Sequence, residues 1–222
     1  MIKCTPLLAA LLATATPALS ATPREMLTAA AQSSDKAAAL AQVTQAITAT
    51  EAQLAANPND REALLQRGVG IGNRAKLTKS PGDAKTARRL FEAYAGSNPR
   101  DPEGQLAIAS WHLDTIASGF MATTVLGAKR DVGLTALDRA VQLGQGHPFF
   151  TGFAAMMRIR LDAGDVATAR RLAEQAAAAP ASTALDRIAK RDAEQLLIPL
   201  RAGDGRNAAA LARKLLPFGR IN

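Results

Sequence analysis

The sequence predicts an all-α fold, an α-α superhelix of about four stacked helical hairpins. Three observations point to it. The segments at residues 161–176 (LDAGDVATARRLAEQA) and 200–215 (LRAGDGRNAAALARKL) lie 39 residues apart and agree at 7 of 16 positions. The pattern N-P-x-D-x-E occurs at residues 57–62 and again at 98–103, a spacing of 41. Alanine is abundant and β-branched runs are absent, so strand signals are weak. Internal periods of this length mark stacked units that bury their apolar faces only against neighbours.

Taken in order, Asp35 caps a helix running to about Ala56, with Leu40, Val43, Ile47 and Leu54 near one stripe. Asn57-Pro58 stops it. Asp60 caps the next helix, with Glu62 in its first turn, where the helix dipole favours an acid. Asp101 repeats the device, and Pro102 suits the first helical position because its missing N–H has no intrahelical partner there. Between these, a helix starts near Pro81 and carries Ala87, Leu90, Phe91 and Tyr94. The linker at residues 73–82 reads as longer than a tight hairpin needs.

The helix from Pro102 to about Gly119 is apolar round most of its circumference (Leu106, Ile108, Ala109, Trp111, Leu113), which places it in the middle of the stack. Residues 119–132 read as either a short extra helix or an ordered loop. Helices follow at 133–143 and 149–161. Turns at Ala163-Gly-Asp165 and Ala202-Gly-Asp204 then open second helices with Ala169, Leu172, Ala176 and with Ala208, Leu211, Leu215. Residues 21–34 are expected to be a flexible lead-in, 35–217 the solenoid and 218–222 a short tail.

Residues 1–20 read as an export signal. Lys3 supplies a positive charge, residues 7–13 (LLAALLA) a short apolar run, and Ala18-Leu19-Ser20 small residues for cleavage before Ala21. The run is too short to span a bilayer, and Cys4, the single cysteine, precedes it, unlike a lipoprotein cysteine. The expected product is periplasmic, or alternatively secreted, with no cysteine for disulfide, metal or catalysis.

Formal net charge is +8, and basic pairs recur along the helices: Arg88-Arg89, Lys129-Arg130, Arg170-Arg171, Lys190-Arg191 and Arg213-Lys214. An acidic protein, lipid head groups or a glycan phosphate would be attracted; a solvated surface is the plainer reading. Nucleic acid is a poor partner for this chain, because no aromatic stacking motif interleaves with the charges.

These residues resemble the tetratricopeptide repeat, whose pattern is W-x2-L-G-x2-Y, then A-x3-F, then P. Residues 148–180 fit best, through Gly164-Asp165, Ala169, Ala173, Ala176 and Pro180, with Phe153 and Met156 in large-residue places. The last unit matches through Gly203, Asp204, Ala208 and Ala212, and the first through Leu64, Gly68, Ala87, Phe91 and Pro99. The region around Trp111 and Leu137 fits poorly, and periods of 39 and 41 exceed the family's 34. The resemblance implies a right-handed solenoid whose first helices line a groove that binds a segment of another protein. It points to Arg158 and Asp162 as groove residues in one unit and to Lys190, Glu194 and Arg201 in the next.

Chemistry is thin. His112 and His147 are the only histidines; His112 and Asp114, two apart, do not share a helical face. Gly68-Val-Gly-Ile-Gly72 lacks a preceding strand and a Gly-Lys-Ser/Thr ending, so it reads as small residues admitting a close helix and not as a phosphate loop. No catalytic motif, metal site or cofactor is expected. Phe149, Phe150 and Phe153 read as core between units, in preference to the lining of a small apolar pocket between helices. A second functional reading is a small-molecule-binding accessory subunit of an uptake system, with Trp111, His112, Phe120 and Met121 lining a pocket. Its discriminator is whether residues 119–132 fold over a cavity against Trp111.

Overall fold

A computed structural model describes residues 21–221, and the expected export signal at 1–20 lies outside them. Among the described residues the chain forms eleven α-helices and no strand. They are α1 (Pro23–Gln32), α2 (Lys36–Ala56), α3 (Arg61–Thr78), α4 (Pro81–Ser97), α5 (Pro102–Ala117), α6 (Phe120–Leu126), α7 (Arg130–Leu143), α8 (Pro148–Leu161), α9 (Val166–Ala178), α10 (Ala184–Arg201) and α11 (Gly205–Leu215). None is long and apolar enough to cross a membrane.

The helices pack in sequence-adjacent pairs: α1 with α2, α3 with α4, α5 with α7, α8 with α9 and α10 with α11. There are thus five pairs where four were expected, because residues 21–34 are not a flexible lead-in. Thr22 and Glu25 cap each other's backbone, and Leu27 and Ala30 are buried. Nor is there a long linker at 73–82. Helix α3 continues through buried Ala75 and Leu77 to Thr78, leaving a two-residue turn. Lys79 takes the left-handed conformation there and Ser80 caps α4. The glycines of α3 are helical, and a Cβ on Gly68 would come within 2.9 Å of the Phe91 ring. Small size at that position sets how closely α4 approaches.

Helix α5 separates two core clusters. Leu106, Ala109 and Leu113 belong to the cluster running to the C-terminus, while Ala107 and Trp111 belong to the N-terminal one. This is the placement that its all-round apolar character predicts.

The open segment at 119–132 contains α6, bounded by Gly119 (φ 110°) and Gly127 (φ 67°), with no buried residue. Arg88 of α4 tethers its end: the guanidinium lies 5.1 Å from the centre of the Trp111 ring and bonds the Leu126 carbonyl at 3.4 Å.

The last pair departs from the repeat. Helix α11 packs against α8 as well as α10, and a Cβ on Gly205 would stand 1.8 Å from the Ala163 carbonyl oxygen. Residues 218–221, expected as part of a short tail, return to the first helix. The Phe218 N–H bonds the Ala31 carbonyl at 2.9 Å, and Phe218 and Ile221 pack on the N-terminal cluster. The two ends of the described chain therefore touch.

A candidate ligand cavity

The meeting of the ends leaves a central cavity of about 900 Å³. Its walls come from the first helices of the pairs (α1, α3, α5, α8 and α10), and α6 and residues 213–221 complete them. Each first helix offers one stripe. On α8 the lining residues are Phe149, Phe153, Met156 and Arg160; on α3 they include Leu65, Val69, Gly72 and Lys76; on α5, Ala107, Trp111, Asp114 and Ser118. Steps of three and four residues keep a stripe on one helical face. Trp111 is held by a 2.8 Å bond from Nε1 to the Ala84 carbonyl.

Two ionic clusters join these helices at opposite ends. At the N-terminal ends, Arg24 of α1 pairs with Glu62 of α3 at 2.6 Å and with Glu103 of α5 at 2.8 Å. Glu62 and Glu103 are the matching acids of the repeated N-P-x-D-x-E pattern, so one cation ties both units. At the C-terminal ends, Asp114 of α5 sits between Lys76 of α3 and Arg160 of α8, with Arg160 Nη1 at 2.5 Å from its Oδ1. Acids at helix N-termini and bases at C-termini both complement the helix dipole.

The clusters are electrostatically unlike. Burial pushes the Asp114 carboxyl up, but Lys76 and Arg160 outweigh burial and hold it below the usual aspartate value. Glu103 is the reverse: burial outweighs Arg24, and its carboxyl is raised. Asp192, also on the wall, is raised by burial against its partner Arg191. Beside the Arg24 cluster, Tyr94 bonds Asp101 at 2.5 Å, and burial with that bond pushes its hydroxyl up to about 12. Around the cavity six basic side chains (Arg24, Lys36, Lys76, Lys79, Arg160, Arg213) face three acidic ones (Glu103, Asp114, Asp192).

The groove residues pointed to by the repeat resemblance stand elsewhere. Arg158 bonds Asp138 of α7 at 2.5 Å and Asp165 at 3.3 Å, locking α8 to its neighbours on the side away from the lining stripe. Asp162 follows α8 and accepts from the Gly164 N–H. Lys190 donates to the Ala179 carbonyl, Arg201 stands 4.0 Å from Glu174 of α9, and Glu194 is exposed. None of the five borders the cavity. Arg158 lies on the same helix as the lining residue Arg160 but on another face, two residues and a rotation of about 200° away. The 149/153/156 spacing, continued by four, reaches Arg160 and was the available signal.

Of the second set, Trp111 and Met121 line the cavity and Phe120 and His112 do not. Met121 and Phe120 are 74% and 81% exposed on α6. His112 is buried edge-on to Trp111, and its Nδ1 accepts the Lys129 N–H at 3.0 Å, so the proton sits on Nε2. Burial, then the Arg88 charge, lower its pKa. His147 instead pairs with buried Asp186 at 3.1 Å. Phe150 is buried in the C-terminal core cluster, and Phe149 and Phe153 pack against that cluster while also forming part of the cavity wall. Among the described residues no three His, Cys, Asp or Glu are grouped to hold a metal ion. Comparison with known protein families, with curated proteins and with solved structures returns no match.

Proposed function

We propose that this chain is a non-catalytic binding protein whose central cavity takes a small apolar or amphipathic molecule. One observation carries the reading: α6 and residues 213–221 complete an apolar-walled space of about 900 Å³ against Trp111. That volume is at the upper end of small-molecule sites, which are largely apolar with a few placed polar groups. Neither histidine borders the cavity, and His112 Nδ1 is taken by a backbone N–H, which favours binding over turnover there. The tetratricopeptide-like repeats supply the scaffold in this reading. With the export signal read from residues 1–20, the protein works in the periplasm, as a carrier or an accessory subunit for uptake.

Trp111, the chain's one tryptophan, is a built-in reporter. Titrating the chain from Ala21 onward with 1-decanol is expected to change its emission saturably at one ligand per chain. Ser110→Phe, which fills the cavity wall, is expected to abolish the change. No saturable response in the wild type would sink the proposal.

The second reading is a scaffold that binds an acidic segment of another protein at the same opening. It is favoured by Phe120, Met121 and Val125, which stand exposed together on α6. An immobilised chain that retained a protein only while Phe120 and Val125 were intact would support it.

A further inference from the structure

The walls of the cavity are apolar, but its two ends differ in charge. At the C-terminal ends of α3, α5 and α8, two cations, Lys76 and Arg160, share the one carboxylate of Asp114. The Asp114 side chain is only 12% exposed, while those of Lys76 and Arg160 are 34% and 19% exposed and border the cavity. One positive charge is left over. Among the described residues Arg160 makes a single hydrogen bond, through Nη1, whereas a guanidinium has five donors. Lys79 borders the cavity at the turn that ends α3, and Lys36 at the turn that follows α1, adding to the same sign. The opposite end, about 16 Å away along α5 from Asp114 to Glu103, has one cation between two carboxylates. Phe153 and Met156 of α8 and Trp111 of α5 lie between.

We infer that Lys76 and Arg160 form a head-group subsite, and that the ligand is a single-chain amphiphile with an anionic head, a carboxylate or a phosphate monoester. This inference rests on the binding reading above. The chain lies along the apolar stripes of α8 and α5, and the head accepts hydrogen bonds from the guanidinium and ammonium groups beside Asp114. A hydrogen bond to a charged group in such a site is the strong kind. At the other end the cavity presents Glu103 beside Arg24, and that arginine is already held by both Glu62 and Glu103, so no cation is left over for an anion and the orientation is set.

The test compares ten-carbon probes by calorimetry and Trp111 emission at low salt: decanoate, decyl phosphate, 1-decanol and decyltrimethylammonium. Either anionic probe is expected to bind about tenfold more tightly than decanol, and the stronger of the two identifies the head. The cationic probe is expected to bind more weakly than decanol. Arg160→Met and Lys76→Met keep an apolar stem and are each expected to lower anion affinity about tenfold, abolishing most of the preference for either anion over decanol. Arg158→Met, on the same helix but away from the cavity, is expected to change neither. If Arg160→Met fails to fold, Arg160→Lys and the double variant Asp114→Asn/Arg160→Met replace it, the first retaining and the second losing the anion preference. Equal binding of decanoate, decyl phosphate and decanol to the wild type overturns the head-group assignment and leaves the cavity reading intact. Binding of no probe removes both.

Discussion

The two ionic clusters at the ends of the first helices are built from the same parts and behave differently. Each joins three helices through side chains near the helix ends. At the N-terminal ends, one arginine holds two glutamates, and Glu62 is more than half exposed. At the C-terminal ends, one aspartate holds two cations and is nearly sealed from solvent. An exposed pair gains little because water already solvates both charges. A buried one contributes little over an apolar replacement, yet losing one member strands the remaining charge. The N-terminal cluster is therefore a trim on packed helices, whereas the C-terminal cluster cannot lose its one carboxylate without stranding two cations.

The sharpest way to break that contrast is Asp114→Ala. Two cations lose their carboxylate, and chemical denaturation is expected to show a loss of about 3 kcal/mol. A loss no greater than that of the Glu62 variant below would make the clusters equivalent.

Releasing the chain closure comes next, because α1 brings Arg24 to the N-terminal cluster. Phe218→Ala is expected to cost about 2 kcal/mol, less than a fully buried phenylalanine. Amide exchange should quicken in α1 and not in α8. Uniform exchange across both helices would show that the contact to Ala31 does not hold α1 in place.

Acid titration separates the two carboxylates by sign. Asp114 is lowered in the fold, so its contribution is present above the usual aspartate value near 3.8 and is lost as pH falls through its folded value. Glu103 is raised above 4.5, so its contribution runs the other way: stability increases as pH falls through its folded value. Carboxyl carbon NMR is expected to show Glu103 protonating first. Asp114→Asn should flatten the acid limb of the stability curve, and Glu103→Gln should not. The reverse order of protonation would mean that Lys76 and Arg160 do not outweigh burial at Asp114.

Glu62→Ala is expected to be the smallest effect, below about 1 kcal/mol and shrinking further in high salt. A larger, salt-independent loss would mean that the N-terminal cluster is as sealed as its counterpart.

Much of the architecture was legible in the residues. The caps at Asp35, Asp60 and Asp101, the helix-start prolines and the apolar girth of α5 each correspond to a local rule that the fold obeys. The flexible lead-in and the long linker were misread for the same reason. Alanine and glycine carry little periodic signal, so helicity in α1 and late α3 is decided by what they pack against. The repeat at Asp165 and Asp204 shows the limit of sequence identity. Asp204 caps α11 through the Asn207 N–H, while Asp165 is drawn to Arg158, whose counterpart one period later is Leu197.

The cavity itself was legible only as a set of helices. A helical stripe is local and follows from 3.6 residues per turn, so the sequence by itself determined most helix positions, four of the five pairs and the central place of α5. Which face of each first helix looks inward depends on how the pairs stack. Closure depends on Phe218 meeting Ala31 across nearly the whole chain. Lys76, Asp114 and Arg160 likewise come from three separate helices. No local pattern encodes such encounters: tertiary packing decided them, because the cost of bringing distant residues together is offset only when all the helices pack at once.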